Sequence, residues 1–227
     1  MPDFHTLNII SHIVTGSLAI LAGLVVLARR KGDAVHRMTG RITLVLAILC
    51  VSTALIGAFL FRGKLDLMGA SLIISYNLWA GIRALKLKDN GKRAADLAPA
   101  MLVFIADIAL FMMSHMKGLL NWQPALVYAT AGSLATYGGW DLVRTEFPQR
   151  WRLWLNPAEH AFRMAGLIAA LSSVAAATLV PSPYVALGVS GTGSVIAFAF
   201  AFRAARKTLG VTPSTALKAR LKADSEL

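Results

Sequence analysis

Apolar stretches of about 20 residues recur from one end of this 227-residue chain to the other, and the polar segments between them reach only about 15 residues. At a rise of about 1.5 Å per residue, each stretch matches a hydrocarbon core about 30 Å thick. Inside lipid a backbone must satisfy its own hydrogen bonds, so this repetition restricts the chain to a bundle of helices. Composition agrees, with 56% hydrophobic and 15% charged residues, more apolar and less charged than an average soluble domain. Spans are expected at about 7–28, 36–61, 65–86, 97–116, 122–143, 158–180 and 183–204. The expected fold class is therefore all-α: a polytopic bundle of seven transmembrane helices over residues 1–205 and a short basic tail over 206–227.

The formal net charge of +12 would suggest nucleic acid in a soluble protein, but its distribution points to lipid instead. Of the 23 basic residues, all but Arg62, Lys64 and Lys117 fall in the first, third and fifth loops, the adjoining helix ends and the tail. The positive-inside rule then puts the N-terminus outside and the C-terminus in the cytoplasm. The opening "MPDFHTLN" lacks the basic region of a secretory signal, so the first span reads as a permanent helix. The tail "TPSTALKARLKADSEL" reads as a solvated cytoplasmic extension. Trp122, Trp151, Trp154 and Tyr184 sit at span ends, where amphipathic rings favour the headgroup layer. Small residues in "GSLAILAG", "ATAGSLATYGG" and "GVSGTGS" read as sites of close helix packing. A single cysteine, Cys50, excludes an intrachain disulfide and a cysteine-based metal cluster.

Four of the five histidines fall at two depths. His12 and His115 lie near the outer ends of spans one and four, and His36 and His160 lie at the cytoplasmic starts of spans two and six. Two axial imidazoles per layer, on different helices, is the arrangement that two b-type haems require. The two layers are about 24 Å apart along span one. Arg37 and Arg163 stand beside the inner pair, where guanidinium groups can neutralise haem propionates. In arrangement alone, this layout resembles cytochrome b561-type transmembrane proteins. The same histidines are also compatible with interfacial or interhelical hydrogen bonding.

Asp107, in "VFIADIALFMMSH", falls near the middle of span four. An ionised carboxylate there costs about 2.5–3.5 kcal/mol on insertion scales, so it is expected to be paired, protonated or wet. Tyr76, Asn77 and Tyr137 are placed at similar depth, with Thr53, Thr136, Ser190, Thr192 and Ser194 as further companions. Together they would form a polar midplane site, or else Asp107 acts as hydrogen-bonded glue between helices. His36, His160 and Glu159 are the one conceivable zinc trio, but adjacent residues point about 100° apart on a helix. No phosphate loop or Ser-His-Asp spacing appears.

The stretch "SHIVTGSLAILAGLVVLARRKGDAVHRMTGRI" resembles an uncharacterised family of bacterial multispan membrane proteins. His12 and Gly16 match its His-x-x-x-Gly element, and Lys31, Gly32, His36, Arg37, Gly40 and Arg41 match its Lys-Gly-x-x-x-His-Arg-x-x-Gly-Arg element. His160, Phe162 and Arg163 loosely fit a later His-aromatic-Arg element. Thr43 departs from the pattern, where members more often carry an aromatic residue. The likeness covers about the first 60 residues. It implies that His12, His36, Arg37 and His160 form a recurring set, and a place in the bacterial inner membrane. It implies no activity.

Three functional expectations follow. The first is haem-b-dependent transmembrane electron transfer, a transmembrane oxidoreductase, with a quinol or another redox protein as partner and no nucleic acid. The second is a proton-coupled transporter or small-molecule binder built around Asp107, and the third is a structural or assembly subunit of a membrane complex.

Overall fold

The Asp3 carboxylate accepts the Thr6 amide at 2.7 Å, and from that cap α1 runs over Phe4–Ala28. Asp33 does the same for His36 at 2.6 Å and starts α2, Ala34–Leu60. Then follow α3 (Met68–Leu87), α4 (Ala94–His115), α5 (Pro124–Val143), a 3-10 turn (Arg144–Glu146), α6 (Gln149–Leu179) and α7 (Pro183–Leu209). The structure, a computed structural model, describes residues 3–61, 68–87, 90, 94–115, 124–180 and 182–209, and no strand occurs among them. Arg62, Lys64, Lys88, Lys92, Arg93, Lys117, Trp122 and the tail from 210 onward, with Lys218, Arg220 and Lys222, lie outside the described residues.

The largest departure from the expected bounds is in α6. It begins at Gln149 rather than near 158, and carries Pro157 inside. Proline there removes one backbone hydrogen bond. The extra segment is held by side chains: Leu155 and Asn156 are buried, and the rings of Phe147, Trp151 and Trp154 pack in series at steep angles, with centroids 5.3 and 6.3 Å apart.

Sequential helices run antiparallel. Asn8 Nδ2 donates to the Thr53 carbonyl at 3.1 Å across α1 and α2, and Ser173 Oγ donates to the Ala186 carbonyl at 2.8 Å across α6 and α7. Helix α6 is the hub, packing on α7, on α3 and on α1, while α4 reaches the rest mainly through α5. The apolar core lies where α1, α2, α3 and α6 meet, around Ala19, Ala47, Cys50, Ile74, Leu167, Ile168 and Leu171. Close approach relies on glycine: a Cβ on Gly193 would collide with that of Ala169, and one on Gly138 would sit 3.3 Å from the Ala100 carbonyl oxygen.

Four helices, α1, α2, α6 from Trp151, and α7, are long and apolar enough to cross a membrane. Their outward faces carry large exposed apolar side chains such as Ile13, Leu18, Leu21, Val45, Ile48, Val195 and Phe198, consistent with contact with a lipid bilayer. Helices α3, α4 and α5 fall outside that set. They carry Ser71, Ser75, Tyr76, Asn77 and Arg83, then Asp96 and Asp107, then Ser133, Thr136 and Asp141.

Candidate functional site

The α1–α2 turn is built by the residues of the Lys-Gly-x-x-x-His-Arg stretch. Lys31 Nζ donates to the carbonyls of Val26 and Leu27, at 2.9 Å each, and so neutralises the last turn of α1. Gly32 takes φ +87°, a left-handed conformation that a side chain would strain. Arg37 donates to the Gly32 carbonyl at 2.7 Å. His36, half-buried, then turns back so that its Nδ1 faces the Val26 carbonyl at 3.4 Å.

The imidazoles of His12 and His160 repeat this pattern, whereas His5 packs its ring on Phe61 with centroids 4.7 Å apart. His12 Nδ1 lies 3.0 Å from the Cys50 carbonyl and 3.2 Å from Thr53 Oγ1. His160 Nδ1 lies 2.9 Å from the Gly81 carbonyl, and Gly81 permits that approach, since a Cβ there would collide with Met164 and sit 3.1 Å from Arg163 Cβ. A carbonyl oxygen only accepts, so each Nδ1 carries the proton and each Nε2 keeps its lone pair in the neutral ring. This is the orientation that ligating histidines adopt when an outer carbonyl fixes the tautomer.

His36 on α2 and His160 on α6 lie within electrostatic reach of each other, with Lys31 nearby. His12 sits at the other end of the α1–α2 seam. The side chain of His115 lies outside the described residues. Cys50 is free and buried, its Sγ 3.7 Å from His12 Nδ1. Among the described residues no group of three or more His, Cys, Asp or Glu converges as a metal site.

A second assembly was not anticipated. Arg163, 1% exposed, is ion-paired with Asp141 at 3.2 Å and with Glu159 at 3.4 Å. Arg144 contacts Glu159 and Asn156, and Tyr76 donates to Asp141. The Asn77 side-chain oxygen lies 3.5 Å from Arg163, and the rings of Tyr137 and Tyr76 lie 4.6 and 5.2 Å from its guanidinium carbon. Two arginines and two carboxylates make the cluster formally neutral, which is the condition for holding charge away from water. Nearby Arg83 holds Asp96 through two hydrogen bonds, one of 2.9 Å.

Of the residues placed at the midplane from sequence, Tyr76, Asn77 and Tyr137 gather around Arg163, and Asp107 does not. Asp107 is buried, and its Oδ1 has no hydrogen-bond partner among the described residues. It lies about 10 Å along α4 beyond the Ala100–Gly138 crossing, on the side away from Arg144. Arg163, expected beside a haem propionate, is held by carboxylates. Arg37 is exposed at the surface near His36. The network members that sequence reasoning passed over are Asp141, Arg144 and Asn156. One signal was available: Glu159 and Arg163 are spaced i, i+4, as an ion pair on one helix face requires.

Comparison with protein-family models, with curated proteins and with solved structures finds no match to this chain.

Proposed function

We propose that this protein is a seven-span protein of the bacterial inner membrane, N-terminus outside, that carries electrons through haem b. Support comes from one observation above others. Two imidazoles on separate helices, His36 and His160, stand within electrostatic reach, each with Nδ1 turned to a backbone carbonyl and Nε2 left as a ligand. The donor chemistry fits a six-coordinate haem, whose iron takes two neutral imidazoles. His36 and His160 would hold it, and Gly40, one turn beyond His36, leaves open space on that face. Arg37 is the guanidinium available to a propionate, while Arg163 serves the protein's internal charge balance. Haem would supply a one-electron couple; the chain supplies tautomer, burial and charge. A quinol or a redox protein is the proposed donor. His12 with His115 remains the proposed outer pair.

An absorption spectrum of the detergent-purified protein, oxidised and then reduced with dithionite after expression with haem precursor, tests this reading. The expected result is a reduced-minus-oxidised spectrum of six-coordinate haem b. A colourless preparation would overturn it.

A second reading rests on Asp107. A buried carboxylate oxygen without a hydrogen-bond partner among the described residues, on a helix proposed to cross lipid, is the usual mark of a proton or ion pathway. On that reading, Asp107→Asn abolishes a pH-dependent flux in proteoliposomes while His36→Ala only weakens it.

A further inference from the structure

Helices α1 and α7 pack on α6 without packing closely on each other, and a groove runs between them. Its walls are apolar, with Leu24 and Leu27 from α1, Ile168 on the floor, and Val189 and Ile196 from α7. Its volume is about 340 Å³, within the range of small-molecule clefts. Gly188 also lines it, and a Cβ built there would meet nothing within 4 Å. The groove leads along α7 from Ile196, one helical turn short of Phe200, to a cationic rim. There the Lys31 ammonium lies 4.6 Å from the centroid of Phe200, and Arg203 is close enough to repel it. Partial burial and the Arg203 charge together push Lys31 below the ordinary lysine pKa. Among the described residues no carboxylate is in ion-pair reach of either cation; Asp33, two positions after Lys31, caps α2 and lies 3.9 Å from Arg29.

Two cations without a carboxylate partner among the described residues, at the mouth of an apolar groove and at one end of helices that meet lipid, are complementary to an amphiphile with an anionic head. We propose that this groove seats an acyl chain of one anionic phospholipid, whose phosphate-bearing headgroup is held by Lys31 and Arg203. Lys31 directs two N–H bonds to the end of α1 and keeps a third for the phosphate. The bound lipid would tie the α1–α2 turn to the end of α7.

Native mass spectrometry of the full chain in detergent, offered phosphatidylglycerol or phosphatidylcholine with matched acyl chains, tests the proposal. The expected result is one phosphatidylglycerol adduct surviving activation that strips phosphatidylcholine. K31Q combined with R203Q should lower phosphatidylglycerol retention at least tenfold, to the level of phosphatidylcholine. Gly188→Leu, which fills the groove without a clash at Cβ, should lower retention of both. Equal retention of the two lipids by the unaltered protein would overturn the proposal, and that comparison needs no variant to fold. Unchanged phosphatidylglycerol retention in K31Q/R203Q would overturn the headgroup assignment, and unchanged retention in Gly188→Leu would overturn the groove.

Discussion

The α1–α2 hairpin and the α3–α5–α6 layer solve the same problem in opposite ways. The hairpin is apolar on its outward faces, and its polar side chains, Asn8, His12 and Thr53, bond across one seam to backbone or hydroxyl groups. The layer instead buries Asp141, Arg144, Glu159 and Arg163 around one another. Neutral hydrogen bonds tolerate the loss of a partner at modest cost; a buried ion pair does not, because the survivor is left as an uncompensated charge. Helix α6 belongs to both, carrying Ile168 toward α1 and Arg163 toward α3 and α5. His160 sits on that shared helix and His36 on the hairpin, so the proposed ligand pair bridges the two regions.

Breaking the layer should have the largest effect. Arg163→Met leaves Asp141 and Glu159 without their shared cation and should cost about 3–5 kcal/mol, read as a shift in denaturant midpoint in detergent micelles. Adding Asp141→Asn to that variant, which keeps the Arg144–Glu159 pair and restores a neutral cluster, should recover most of the loss. A failure to recover would mean that Arg163 acts through packing rather than charge.

The α6–α7 contact gives a smaller and sharper test. Gly193→Ala drives a methyl into Ala169, whose Cα would be 3.2 Å away and cannot rotate clear, so about 1–3 kcal/mol should be lost. Gly23→Ala meets only the side chain of Ile168, which can change rotamer, and should cost less. If the two cost the same, the α6–α7 approach is looser than described. Within the hairpin turn, Gly32→Ala forces a side chain into φ +87° and should cost about 1–2 kcal/mol. Leu18→Ala, on the outward face of α1, should stay within about 0.5 kcal/mol, because its side chain packs on no core.

Much of the helical layout was legible. Apolar length alone fixed seven helices to within a few residues, apart from α6 and the end of α7. The turn residues Gly32 and Asp33 act as their chemistry dictates, and the glycine of "GVSGTGS" that meets Ala169 marks a close approach. What stayed hidden was pairing across helices. Arg144 and Arg163 read as loop-end charges, because sequence position does not reveal that Asp141 and Glu159 neutralise them. The expected span from about 158 missed the N-terminal part of α6, since the packed aromatics beside that segment come partly from Phe147, outside the helix. Asp107 was grouped with Tyr76, Asn77 and Tyr137 by depth, yet a counterion on a neighbouring helix, Arg163, drew those three together.

The central claim is that His36 and His160 present Nε2 to one haem iron. The most direct measurement is the reduced-minus-oxidised spectrum of His160→Ala beside the unaltered protein, each with and without added imidazole. The account predicts loss of the inner haem's share of the six-coordinate haem b signature in the variant and its return when imidazole fills the vacated position. An unchanged spectrum in His160→Ala would contradict it, as would an unaltered protein that carries no haem.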